Sequence, residues 1–227
     1  MRKGFLVGFV SLSVLIAACS QPASNDQSTM NHNSMNHNGM NHNSMSIGSN
    51  NQMNHNGMSH NLITSDADAA TAPFDLQFID TMTHHHEGAI EMSGLALKKS
   101  SNEELKKFAQ KIIDDQKSEI AQMKDWREKW FPGKPPAKNM EMPGMADSMR
   151  MMTAGGIPQL EATSGKDFDL LFLELMSDHH LGAVVMATDA VQRAEHPEIK
   201  TLAGQIIKAQ EDEIKKITEW RVQWSKK

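Results

Sequence analysis

Shifted by 94 residues, this sequence falls on itself without a gap over more than fifty positions. Phe74-Asp75-Leu76 meets Phe168-Asp169-Leu170, Met82 meets Met176, and His85-His86 meets His179-His180. Gly88-Ala89 meets Gly182-Ala183, and Met92 meets Met186. Further along, Gln116 meets Gln210, Glu119-Ile120 meets Glu213-Ile214, Trp126-Arg127 meets Trp220-Arg221, and Trp130 meets Trp224. Whatever the first half folds into, the second half folds into again, and each must bury the apolar stripe of the other.

Each half reads as a helical hairpin. From 73 to 98 the apolar residues Phe74, Phe78, Met82, Ala89, Met92 and Ala96 keep helical spacing, and a second such stretch runs from 103 to 130. Between them, Lys98-Lys99 suits the negative end of a helix dipole, and Ser101-Asn102-Glu103-Glu104 suits the start of the next helix. Phe131-Pro132-Gly133 and Pro135-Pro136 then stop it. Residues 167–194 and 197–225 repeat the pair, with Pro197 in the first turn of the fourth helix. The expectation is an all-α four-helix bundle over 73–227. Two duplicated hairpins, 73–130 and 167–225, would be related by a pseudo-two-fold axis. The linker, 131–166, has room for a short helix near 145–152.

Residues 1–19 carry Arg2 and Lys3, then an apolar run too short to cross a membrane, which reads as an export signal. Ile16-Ala17-Ala18-Cys19 matches a lipobox, so Cys19 is the expected lipidation site and the only expected membrane tie. It is the sole cysteine, which excludes an internal disulfide and a thiolate cluster. Without Arg2 and Lys3 the chain has 21 basic against 28 acidic residues, an unsuitable balance for nucleic acid. Residues 20–72 are rich in Asn, Ser, Met and His and poor in large aliphatics, so they are expected to be disordered. Units such as Met30-Asn31-His32-Asn33-Ser34 recur there, offering many weak capture sites.

The composition holds 18 methionines and 11 histidines, and the repeat concentrates some of them. Met82, His85 and His86 lie at three- and four-residue steps, which place side chains on one helical face. Met92 continues the stripe, and Met176, His179, His180 and Met186 reproduce it. If the hairpin turn centres near residue 100, Gln116 comes level with His85 and Glu119 with Met82. Gln210 and Glu213 fall the same way in the second hairpin. A carboxylate there can orient a ligating imidazole through its second ring nitrogen, or ligate itself. The neutral, soft thioether favours Cu(I), with Ag(I) as its mimic, over iron, manganese or magnesium. Zinc remains open through His85, His86 and Glu119. In the linker, Met140, Met142, Met145, Met149, Met151 and Met152 are spaced to let a flexible segment wrap Cu(I). Core packing is the competing role for the stripe methionines. Burial against Arg127 or lysine competes for Glu119 and Glu213. His84 has Asp178 as its mate and is expected to be exposed, and His196 to be structural.

These motifs resemble a family of secreted, Met/His-rich, ferritin-like four-helix bundles long described as a domain of unknown function, which includes a cyanobacterial copper-resistance protein. The matching elements are Met82-x-x-His85-His86-x-Gly88-Ala89-x-x-Met92 with Gln116-x-x-Glu119-Ile120-x-x-Met123, and their second copy. The likeness spans about residues 73–225. It implies periplasmic or extracellular Cu(I)/Ag(I) binding in copper tolerance. Met123 has Ile217 as its mate, so the second site departs from the first. The expected function is non-enzymatic copper sequestration or transfer, with a copper efflux component as a possible partner. The alternatives are a ferritin-like redox enzyme such as a cuprous oxidase, and a bundle that docks a partner without tight metal binding.

Overall fold

The computed structural model describes residues 64–145, 148 and 156–226. All of these belong to one of the two units into which the chain divides, His55–Lys227. The signal, Cys19 and the Met-Asn-His-Asn units lie outside the described residues, as do Met149, Met151 and Met152.

Among the described residues there are five α-helices and no strand. Four are long: α1 (Phe74–Lys99), α2 (Glu103–Trp130), α4 (Gly165–Arg193) and α5 (Pro197–Ser225); α3 (Ile157–Ala162) is short. Their ends follow the sequence signals. Asn102 caps α2, its side-chain oxygen accepting from the backbone N–H of Glu104 and Leu105. Such a cap stabilises a helix by about 1 kcal/mol. Pro197 occupies the first turn of α5, where its missing N–H has no partner to lose.

The apolar stripes form one core, and the repeat is visible in it. Phe78 and Phe172, Met82 and Met176, Met92 and Met186, Ile112 and Ile206, Met123 and Ile217 are all buried mates. Burial of each such side chain contributes about 1.5–3 kcal/mol. The bundle is ordered by hairpin: α1 packs on α2, α4 on α5, and the hairpins join chiefly through α1 against α4.

Two repeat-related clasps show that α1 and α4 run antiparallel. Asp75, at the start of α1, accepts hydrogen bonds from the backbone N–H of Glu195 and His196, just past the end of α4. Its mate Asp169, at the start of α4, faces Ser100 at the end of α1; burial raises its pKa, and the Ser100 hydrogen bond offsets that in part. His196 also places Nδ1 2.6 Å from Asp75 and stacks on Trp130 at 3.9 Å, the structural role its sequence position suggested. On the other side, α2 meets α5 through Phe108 and Trp220, edge to face at 5.3 Å.

The linker is fastened to α1. Ala137 and Asn139 donate backbone N–H groups to Asp80 and Thr81, and the Asn139 amide donates to Gln77. Asp66 pairs with Lys138 in both directions, and Met140 N–H donates to Ser65. The segment ahead of α1 is therefore structured before residue 73, with a 3-10 turn at Ala69–Thr71 and Ala69 buried. The low-aliphatic composition of 20–72 hid this, because the anchors of 64–72 are polar side chains bound to the linker.

The candidate metal centre

The Met/His stripe of α1 faces the stripe of α4. Met82, His85, His86, Met176, His179 and His180 are all 0–1 % exposed. The two His-His pairs meet at the contact between hairpins: the His85 and His179 rings lie 3.8 Å apart, centroid to centroid, tilted by 39°. His86 sits 6.2 Å from His85, and His180 sits 6.3 Å from His179.

The outer histidines have carboxylate neighbours. His86 Nε2 lies 2.7 Å from Glu119 Oε2 in hydrogen-bond geometry. His180 Nε2 lies 2.9 Å from Glu213 Oε2, at an angle too poor for a good hydrogen bond. With Nε2–H directed at Glu119, the other ring nitrogen of His86, Nδ1, is left buried without a protein partner. The inner pair is more exceptional. Both ring nitrogens of His85 and both of His179 are buried without a hydrogen-bond partner. The His85 main chain approaches the His179 ring, short of hydrogen-bond geometry. Buried polar atoms are normally paired, and an unpaired set calls for an explanation such as an ion. Burial, then the neighbouring imidazoles, holds the pKa of His85 and of His179 well below the ordinary histidine range. Both are thus neutral, the state in which imidazole ligates.

Glu119 reaches His86, one turn beyond the Met82 level estimated from the hairpin turn. Side chains on a helix lean toward its N-terminus, and in the antiparallel α2 that lean carries Glu119 from the Met82 level toward the C-terminal half of α1, one turn on, to His86. Arg127 pairs with Asp80, not with Glu119. Glu213 does take a lysine: its Oε1 receives Lys111 Nζ from α2 at 3.0 Å. Burial pushes the Glu213 pKa up, but His180 and Lys111 together outweigh it and leave it lowered. Lys111 was missed by sequence reasoning, since its repeat mate is Gln205. It stands with Glu213 on the wall of a groove of about 610 Å³ between α2 and α5.

Other expected ligands fall into place differently. Met92, Met123 and Met186 are buried core residues on the same helices. Gln116 and Gln210 are buried, each with an unpartnered side-chain oxygen. Met140, Met142 and Met145 are buried against the bundle, not free to wrap an ion as a flexible loop. Hydrogen bonds of the polar linker residues to α1 and to 64–66 hold them there. Gly144 and Gly182 let the linker touch α4, since a Cβ on Gly144 would run into Gly182 O and one on Gly182 into Ser148 Oγ. His84 is not the exposed residue expected, with its side chain 14 % exposed beside Glu87. Among the described residues, no three His, Cys, Asp or Glu side chains are placed to close on one ion. The His85, His86 and Glu119 set considered for zinc therefore does not converge.

The family model described as "Domain of unknown function (DUF305)" matches residues 11–127 and again 75–221. This chain belongs to the DUF305 family. The double match follows the duplication. A crystal structure of a putative secreted DUF305 protein from Streptomyces coelicolor is 29 % identical, with a TM-score of 0.59, covering 70 % of this chain and 96 % of that one. CopM in its Cu(II)-bound form is 38 % identical, with a TM-score of 0.56, covering 66 % of this chain and 97 % of CopM. CopM in its Cu(I)-bound form gives 37 %, 0.54, 66 % and 96 % for the same quantities, and CopM is also known in an Ag-bound form. A search of curated proteins finds no match. The DUF305 bundle therefore has relatives that carry copper and silver, and the all-α duplicated architecture read from the sequence is the one observed.

Proposed function

We propose that this protein binds Cu(I), with Ag(I) as its mimic, outside the cytoplasm, and that it sequesters the ion or passes it on without catalysing a reaction. The observation that carries this reading is the meeting of His85 and His179, whose four ring nitrogens are buried and unpartnered, beside the buried thioethers of Met82 and Met176. Neutral imidazole and thioether together suit a soft monovalent ion better than a hard divalent one. CopM, which is 36–38 % identical, is known with Cu(I), Cu(II) and silver. The preference for Cu(I) here rests on this chain's own donor set. Export by residues 1–19, an anchor at Cys19 and hand-over to a copper efflux component complete the proposal. The Met/His units of the tail, with Met149, Met151 and Met152 of the linker, would raise the local ion supply.

Anaerobic competition with a Cu(I) chelator tests this. The variant Met82→Leu/His85→Asn/Met176→Leu/His179→Asn is expected to lose the tightest site while keeping its helical circular dichroism. Unchanged tight binding would move the site away from the hairpin contact. Sustained copper oxidation under oxygen, over many turnovers, would favour the redox-enzyme reading instead.

A further inference from the structure

On the first hairpin an ion pair reads peptide backbone. Arg127 Nε donates to Asp80 Oδ1 at 2.7 Å, which fixes the guanidinium across α1 and α2. Arg127 Nη2 then donates to the carbonyls of Lys134 and Pro135 at 3.2 and 3.3 Å. The second oxygen of Asp80 accepts the N–H of Ala137 at 2.9 Å. One pair of side chains thus satisfies both kinds of backbone group, carbonyls at the arginine and an N–H at the carboxylate. Just beyond, Thr81 takes the N–H of Asn139 and Gln77 takes its side-chain amide. Pro135 and Pro136 hold the bound segment stiff, which lowers the entropy lost in seating it.

The second hairpin carries the same pair 94 residues on. Arg221 Nη2 donates to Glu174 Oε2 at 3.0 Å. Among the described residues, no backbone group bonds either side chain. Both line a groove of about 430 Å³ between α4 and α5, with Leu170, Thr218, Val222 and Ser225. Glu174 and Arg221 are 53 % and 42 % exposed, where Asp80 and Arg127 under the linker are 12 % and 21 %. An ion pair this exposed adds little to stability by itself. The walls differ in one respect. Leu171 and Leu175 stand where Gln77 and Thr81 hold Asn139, and Val222, 54 % exposed, stands where Glu128 does. The second groove therefore keeps the backbone-reading pair and exchanges the asparagine seat for an apolar one. We infer that this α4–α5 groove is an open counterpart of the linker groove, and that it docks an extended, proline-bearing segment of a partner protein with an apolar side chain at the Asn139 position. None of the core histidines or methionines takes part, so this docking is independent of copper binding.

The test titrates the full-length, nitrogen-15-labelled protein with two end-blocked synthetic peptides, residues 133–140 of this chain and the same peptide with Asn139→Leu. Proton–nitrogen correlation NMR reads where each binds. The chain's own linker fills the first groove at high effective concentration, so free peptide is left with the second. Saturable shifts are expected at residues 170–174 and 218–225, with the Asn139→Leu peptide about fivefold tighter because its leucine is buried. Arg221→Lys keeps the charge and loses the planar fork, and is expected to weaken peptide binding about fivefold while the helical circular dichroism is unchanged. Absence of shifts in that groove with both peptides, shifts at Asp80 and Arg127 instead, or binding indifferent to Arg221→Lys would overturn the proposal. Shifts in the groove that grow with protein concentration alone would also overturn it, by giving the groove to a second copy of this chain.

Discussion

Glu119 Oε2 accepts the Nε2–H of His86 across the α1–α2 hairpin at 2.7 Å, joining an intermediate-exposure carboxylate to an imidazole with no exposure of its own. That hydrogen bond fixes which nitrogen His86 offers inward. In Glu119→Leu the buried N–H loses its acceptor, a loss of about 1–3 kcal/mol. Removing a carboxylate that orients a ligating histidine lowers metal affinity by roughly 10–100-fold. Urea unfolding of the metal-free protein and Ag(I) competition check the two effects separately. Glu119→Gln, which keeps an acceptor oxygen, is expected to recover most of the stability.

The inner histidines set a pH dependence in the metal-free protein. Burial, followed by neighbouring imidazoles, lowers the pKa of His85 and His179 in the fold. The unfolded chain titrates near the ordinary value of about 6.5, so below that pH it binds protons that the fold refuses. The stability these groups supply is present above about pH 6.5 and falls as the pH drops toward their folded values. Melting temperature measured from pH 8 downward is expected to decline through this window. In His85→Asn/His179→Asn the decline is expected to be shallower; an identical decline would assign it to other groups.

Much of this was legible in the sequence, for identifiable reasons. Helices α1, α2, α4 and α5 were marked by periodic apolar residues and by local stops such as Pro132-Gly133, and their ends fall within two residues of expectation. The His-His pairs were marked by their recurrence 94 residues apart. What was not legible depends on three-dimensional placement. The meeting of His85 with His179 follows from the antiparallel packing of α1 on α4, which neither repeat encodes alone. The Lys111–Glu213 pair joins unlike positions of the two repeats, so self-comparison gave no sign of it. Burial of Met140, Met142 and Met145 follows from hydrogen bonds made by Asn139, Lys138 and Ala137, whose partners lie far away in sequence.

Contact between linker and bundle gives a steric prediction. A methyl group at Gly182 would collide with Ser148 and with the backbone of Gly144. Gly182→Ala is expected to lose about 1–3 kcal/mol as the linker is displaced. Gly204, inside α5 with open space where its Cβ would stand, is the control. Gly204→Ala is expected to gain up to about 1 kcal/mol, because alanine suits a helix interior better than glycine. Denaturant midpoints of the two variants should move in opposite directions.

The clasp at the bundle end should be independent of metal. Asp75 accepts from two backbone N–H groups at the entry to α5 as well as from His196. Asp75→Ala leaves these donors unpaired and is expected to cost on the order of 2 kcal/mol. Ag(I) affinity at the core is expected to stay within a few-fold of the parent, since Asp75 lies nearly three helical turns from His85. A large loss of affinity in a variant that is still folded would show that the helix end helps set the site.

The central claim is that copper is held where the two hairpins meet. A crystal structure of the protein loaded anaerobically with Cu(I), with an anomalous difference map at the copper edge, tests it most directly. The account predicts a peak at the α1–α4 contact, within about 2.0–2.1 Å of a ring nitrogen of the buried histidines there, with sulfur from Met82 or Met176 completing the shell. Copper peaks confined to the linker or the tail, with no copper at the hairpin contact, would contradict it.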